Sequence, residues 1–124
     1  INVNRFYPYP LGDNKYEKKF LYNGKTNDLG QKYVVRNCVF EPYFDNCSYN
    51  NDALSTCMKN IEAAFLMHAP AIISTHRVNF VGSLESSHRD KSLAQLKDLL
   101  HEIIKRWPDV EFMNGDAMCE TIFK

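Results

Sequence analysis

The residues best suited to chemistry lie in one short stretch, which runs from Pro70 to Phe80 as P-A-I-I-S-T-H-R-V-N-F. An apolar, β-branched run of strand length is followed by hydroxyl groups and then by the side chains of His76, Arg77 and Asn79. An imidazole can transfer a proton, a guanidinium can bind an anion, and an amide can hydrogen-bond a sugar hydroxyl. We therefore predict that these three side chains contribute to one functional site.

The surroundings of this stretch support the prediction. It lies between two segments with helical periodicity, which is typical of a buried parallel strand. Ligands of α/β folds bind beyond the carboxyl ends of such strands. The alternative is a strand end whose polar side chains only hydrogen-bond their own loop. Three side chains of different chemistry that leave a single strand favour the functional interpretation.

Glu41 is the nearest candidate carboxylate. It follows the strand-like run Y-V-V-R-N-C-V-F at residues 33–40, so we expect it at the same rim of the sheet as His76. We predict that His76 and Glu41 are catalytic and that Arg77 and Asn79 bind substrate. An ion pair between Arg77 and Glu41 can equally be structural, and Asn79 can simply cap its loop, so these alternatives stay open.

The elements that position these residues alternate along the chain. The predicted strands are 33–40, 71–75 and 110–113; the predicted helices run from the capping residues 50–52 through Met67, from a capping box at Ser87 and Asp90 to Trp107, and onward from Asn114. The order β-α-β-α-β-α indicates an α/β fold with parallel strands and right-handed crossovers. Three strands cannot close a barrel, so we expect the open edge to pair with another copy, another chain or residues 1–32.

Two regions differ in composition. Residues 1–32 are rich in Tyr, Asn, Lys, Gly and Pro, and we predict an irregular, loop-rich segment with a short helix near residues 15–21. Residues 33–124 carry the regular pattern and form the predicted part-barrel. The apolar stripe of its longest helix ends at Trp107, which we expect in the core rather than in a sugar-binding surface.

Composition excludes some functions. The 124 residues carry no net charge, which argues against a nucleic-acid partner. No apolar run is long enough to cross a bilayer, so no membrane partner is expected. The first residue is Ile1 rather than Met, so we expect a fragment or a processed product.

The four cysteines have no C-x-x-C spacing, which makes a zinc ribbon or a thioredoxin-type site a poor fit. Cys38 and Cys57 lie in apolar patterns and are predicted to be small buried hydrophobes. A disulfide between Cys38 and Cys47 is geometrically allowed, and the sequence leaves it open.

Three segments together carry a family resemblance: R-N-C-V-F-E-P at 36–42, P-A-I-I-S-T-H-R-V-N-F at 70–80 and R-W-P-D-V-E-F-M at 106–113. They resemble the C-terminal part of polysaccharide-deacetylase-like proteins, which share the NodB-homology domain, a distorted (β/α) barrel. In that family a late strand ends in an apolar run and a His, and a long helix, a closing strand and a final helix follow. His76 matches that histidine.

The resemblance implies metal-dependent removal of acetyl groups from a sugar polymer, with the late His as general acid, and it favours an extracytoplasmic location. The family's metal ligands are an Asp and an H-x-x-x-H pair, and this chain has no H-x-x-x-H. We therefore expect no metal site in this chain, and a divalent metal only in a complete parent protein. The alternatives are a non-catalytic carbohydrate-binding barrel and an α/β interaction domain.

Overall fold

The computed structural model describes residues 5–10, 16–21, 28–30, 34, 36–43, 50–82 and 85–122. In chain order its elements are β1 (Arg5–Pro10), β2 (Tyr16–Leu21), β3 (Cys38–Val39), α1 (Ala53–Leu66), β4 (Ile73–Ser74), a 3-10 helix (Arg77–Phe80), α2 (Ser86–Arg106) and α3 (Gly115–Ile122). None of the helices in this part of the chain has the length and apolarity that a membrane span requires.

The second half of the chain is built on a parallel strand pair. β3 and β4 pair in parallel, with Cys38 opposite Ile73, and α1 forms the connection between them. The amides of Cys38 and Phe40 donate to the carbonyls of Ile72 and Ser74 at 3.1 and 2.9 Å. The chain therefore combines helices with parallel strands, in agreement with the predicted α/β character.

Side chains extend this short ladder. The side-chain Nδ2 of Asn37 donates to the Pro70 carbonyl at 2.9 Å, and its Oδ1 accepts from the backbone N–H of Ile72 at 2.8 Å. These bonds align the entry of β4 with β3. On the opposite edge of β3, the Val39 amide donates to the side-chain oxygen of Asn60 in α1 at 3.2 Å. Asn37 thus lengthens the ladder between β3 and β4, whereas Asn60 supplies a bond that a further strand supplies in a wider sheet.

The predicted strand at 110–113 is wrong. These residues form neither helix nor strand, because the Val110 amide donates back to the Trp107 carbonyl at 3.0 Å and closes a turn. Val110 still packs against the core, whereas Phe112 and Met113 are 57% and 45% exposed. The segment therefore stays apart from β4, and the described part of the parallel sheet has two strands.

The three predicted helices of the second half are present, with two corrections to their caps. α1 begins directly after the predicted capping residues, but no side chain caps it. Asn114 caps α3, since its side-chain oxygen accepts from the Ala117 amide at 2.9 Å. The predicted capping box is wrong, because α2 begins at Ser86 and the Ser87 hydroxyl, already inside the helix, donates to Glu85 at 2.6 Å. Asp90 pairs instead with its neighbour Arg89.

The predicted irregular segment contains an antiparallel hairpin. β1 and β2 pair in register from Arg5 opposite Leu21 to Pro10 opposite Tyr16. The short helix predicted near residues 15–21 is therefore wrong. The sequences of both segments contain aromatic residues, which have a high strand propensity, and a short isolated helix is marginal in water.

The core lies between β3, α1 and α2. Its fully buried members include Cys38, Phe40, Cys57, Ile61, Leu99 and Ile103. Burial raises the pKa of the Cys38 thiol to about 11, with a partial offset from the hydrogen bond to the Ile72 backbone. Burial, and secondly the neighbouring Cys38, raise the pKa of the Cys57 thiol to about 12. Both residues are free thiols, so Cys38 forms no disulfide, and Cys47 lies outside the described residues.

Trp107 lies at the margin of this core rather than inside it. The residue is half-buried, and its ring meets Phe65 edge-on, with ring centroids 5.0 Å apart and planes at 86°. The guanidinium of Arg106 lies 5.1 Å from the Trp107 ring centroid.

Candidate functional site

The parallel strands bring Glu41 and His76 together. Each residue lies two positions after the end of its strand, and parallel strands end at the same rim. The Nδ1 of His76 lies 2.6 Å from Oε1 of Glu41. The expectation that the two residues share one rim is therefore met, although they are 35 positions apart in sequence.

Asn79 forms hydrogen bonds with both members of this pair. Its Nδ2 donates to Oε2 of Glu41 at 2.5 Å and to the backbone carbonyl of His76 at 2.9 Å. Its Oδ1 accepts from the amide of Tyr43 at 3.0 Å. The Asn79 side chain is 0% exposed, so its amide has no accessible atom left for a substrate. We refer to Glu41, His76 and Asn79 as the polar rim.

The polar rim is asymmetric in exposure. The side chain of His76 is 74% exposed, whereas that of Glu41 is 20% exposed. A carboxylate can only accept hydrogen bonds, so the contact places a hydrogen on Nδ1 of His76. That hydrogen bond selects one tautomer and leaves Nε2, the other ring nitrogen, to meet a ligand.

Arg77 lies beside the rim without joining it. The residue opens the 3-10 helix and is exposed. Among the described residues it forms no ion pair, and both oxygens of Glu41 are occupied by His76 and Asn79. The structural Arg77–Glu41 pair is therefore not formed, and substrate binding by Arg77 stays a prediction.

A second aromatic-polar contact lies behind the rim. The Tyr43 ring stacks on the His88 ring of α2, with centroids 3.4 Å apart and planes at 25°. The Tyr43 backbone also bonds Asn79, so the contact links α2 to the rim. Sequence reasoning missed the role of Tyr43, because an isolated aromatic residue after a proline carries no spacing signal.

Three buried polar atoms of α2 have no hydrogen-bond partner among the described residues: Nε2 of His88, Oγ of Ser92 and Oε1 of Gln95.

Metal ligands do not gather in the described part of the chain. No three His, Cys, Asp or Glu side chains converge there in a way that could hold an ion. These residues therefore do not fit the metal that the family resemblance implies.

A separate apolar groove of about 850 Å³ lies along β4. Its walls come from α1, β4, the end of α2, the segment 108–114 and α3, and include Ile61, Phe65, Ile72, Trp107, Phe112 and Met118. Neither His76 nor Glu41 lines it. We refer to this feature as the apolar groove.

No family model, curated protein or solved structure with which the chain was compared matches it. The resemblance to polysaccharide deacetylases therefore rests on the three sequence segments and stays a prediction.

Proposed function

We propose that the chain is part of a carbohydrate-active hydrolase of the polysaccharide-deacetylase type, in which His76 and Glu41 act as an acid–base dyad. The observation that carries the proposal is the 2.6 Å contact between a sheltered carboxylate and an exposed imidazole at the rim of parallel strands. A base that is oriented by a third group is the common arrangement in nucleophilic and acid–base catalysis.

The dyad suits the departure of a sugar amine or alkoxide. Glu41 accepts a hydrogen bond from Nδ1–H of His76 and so orients the ring. The neutral Nε2 takes a proton from the water whose oxygen bonds to the acetyl carbon, which leaves a tetrahedral intermediate and an imidazolium. The Nε2–H of that imidazolium then donates the proton to the leaving nitrogen or oxygen as its bond to the acetyl carbon breaks, and the acetyl group departs as acetic acid.

Asn79 serves this chemistry as a positioning residue. It holds the second oxygen of Glu41 and the backbone of His76, so it fixes the orientation of both partners. This role replaces the predicted contact between Asn79 and substrate. Arg77, which is exposed next to His76, is the remaining candidate for contact with sugar hydroxyl or carboxylate groups.

We place the same elements in a part-barrel. β3, α1, β4 and α2 follow in the order of a (β/α) unit. Because the described residues do not fit the family's metal site, the proposed chemistry rests on the side chains of His76 and Glu41 alone.

The proposal is tested by hydrolysis of an activated acetyl ester, 4-nitrophenyl acetate, and of an N-acetylglucosamine tetramer. We expect His76→Ala to lower kcat by about 10²–10⁴-fold, the usual effect of losing a general acid or base. Its free energy of unfolding changes by less than about 0.5 kcal/mol, because the side chain is exposed.

The matched control is His101→Ala, which removes an exposed histidine on the surface of α2 and leaves kcat unchanged. Equal activity of wild type and His76→Ala on both substrates would overturn the proposal. Binding of the tetramer without turnover would support the alternative of a carbohydrate-binding barrel.

A further inference from the structure

The open edge of β4 faces the apolar groove. Ile72 and Ser74 direct their carbonyls to β3, so the intervening Ile73 directs its N–H and C=O to the opposite edge. No described residue bonds these groups, and Ile73 lines the groove. The outer edge of β3, in contrast, is partly covered by Asn60. An unpaired strand edge is a template for another strand.

The groove has the lining and the size for an extended peptide. Its volume of about 850 Å³ lies within the range of ligand sites, and its walls are mainly apolar. Phe112 and Met113, which also line the groove, are exposed by 57% and 45%. A strand added to Ile73 would place alternate side chains against the apolar residues of α1 and α2.

The charged residues that line the groove determine the charge of a strand that could bind there. The guanidinium of Arg106 is already paired with Glu62 and lies over Trp107. Asp109 and Glu111 are exposed and form no ion pair with a cation in the described ranges. The uncompensated charge of the groove is therefore acidic.

We propose that the apolar groove binds an extended, basic strand of another polypeptide chain, which adds to the open edge of β4. Main-chain hydrogen bonds to Ile73 supply affinity, apolar side chains fill the groove, and Lys or Arg side chains meet Asp109 and Glu111. This inference is independent of the proposed hydrolase activity, because the groove and the polar rim share no residue.

Trp107, the chain's one tryptophan, lines the groove and reports on its occupancy. The probe is a blocked synthetic peptide with the sequence Y-E-K-K-F-L, which is that of β2 and combines two lysines with aromatic and aliphatic residues. We expect a saturable change in Trp107 fluorescence and slower amide exchange at Ile73.

Three matched measurements define the mode of binding. A peptide N-methylated at alternate residues, which removes the edge donors, abolishes binding. The protein variant Asp109→Asn/Glu111→Gln, altered only at exposed positions, binds about 3- to 10-fold more weakly at low salt, and the loss disappears at high salt. The His76→Ala variant binds as the wild type does.

Three results would overturn the proposal. Equal binding of the N-methylated peptide, or a tighter, salt-independent response to dodecanoate, would make the groove an apolar ligand site without strand addition. A dimer in sedimentation equilibrium that excess peptide does not dissociate would mean that a second copy occupies the edge.

Discussion

The polar rim and the apolar groove both border β4, but their hydrogen-bonding groups are satisfied to opposite extents. At the rim, both oxygens of Glu41 and all polar atoms of the Asn79 side chain are engaged, and only the outer face of His76 is open. At the groove, the N–H and C=O of Ile73 have no partner among the described residues, and apolar side chains are exposed. The rim is thus ordered before any ligand arrives, whereas the groove gains by being covered.

This difference separates two kinds of activity. A pre-organised pair with one open face suits chemistry on a small polar group, because orientation is fixed before the substrate binds. An open apolar edge suits association, because affinity comes from newly buried area and new main-chain hydrogen bonds. Substitutions in the two regions should therefore change different measured quantities.

The largest loss of stability is expected in the groove. Trp107→Ala removes the edge-on contact with Phe65 and widens the groove, so we expect a loss of about 3 kcal/mol in the free energy of unfolding. Urea denaturation followed by far-UV circular dichroism measures it. Trp107→Phe keeps an aromatic ring and should recover more than half of the loss. A loss below about 1 kcal/mol for Trp107→Ala would mean that the groove wall contributes little to the core.

At the polar rim, Asn79→Ala should cost about 2 kcal/mol, because it removes the buried hydrogen bonds that Asn79 makes to the Tyr43 amide and to one oxygen of Glu41. Asn79→Asp keeps the acceptor for Tyr43 but places a second carboxylate next to Glu41. We expect it to lower kcat more than Asn79→Ala does, with KM little changed. Similar kcat values for wild type and both variants would show that Asn79 has only a structural role.

Much of the polar rim could be predicted from the sequence, because its residues directly follow short apolar runs. Each strand is a short apolar run, and the polar residue that follows it falls at the carboxyl end whatever the exact strand length. The same reasoning placed α1, α2 and α3 and the buried thiols. It could not show that Asn79 would be buried, since that depends on the turn made by the 3-10 helix after His76.

The groove was not accessible from sequence. The run V-E-F-M at 110–113 has the composition of a strand, and periodicity does not reveal that the Val110 amide returns to Trp107. The pairing of β1 with β2 was missed for a related reason: cross-strand pairing is a non-local property, and local composition in residues 1–32 resembles that of loops. Long-range hydrogen bonds decided both cases.

Below both regions, the thiols of Cys38 and Cys57 should make the shared core sensitive to alkali. Their pKa values are raised to about 11 and about 12 in the folded chain, so they stay neutral where the thiols of the unfolded chain ionise. Stability is therefore unaffected below about pH 8.5 and falls as pH rises towards 11. From an ordinary thiol pKa of 9.0, we expect a loss of about 1.4 kcal/mol per thiol at pH 10.

Urea midpoints at pH 8 and pH 10 measure this loss. The variant Cys38→Ala/Cys57→Ala is less stable at pH 8 but should lose less stability between the two pH values than the wild type does. An equal loss in both proteins would assign the alkaline sensitivity to other groups.

The smallest effect is expected at the ion pair that borders the groove. Arg106 pairs with Glu62 across α2 and α1, but their side chains are 47% and 41% exposed, so solvent screens the attraction. A double-mutant cycle of Arg106→Gln and Glu62→Gln should give a coupling energy of about 0.2–1 kcal/mol that shrinks with added salt. The same cycle sharpens the difference between the regions. Glu62→Gln frees the positive charge of Arg106 near Asp109 and Glu111. This charge should repel the basic peptide and weaken its binding, while kcat stays unchanged. A coupling energy above about 2 kcal/mol would show that the pair is shielded from solvent, and that the groove is more closed than its exposed apolar residues indicate.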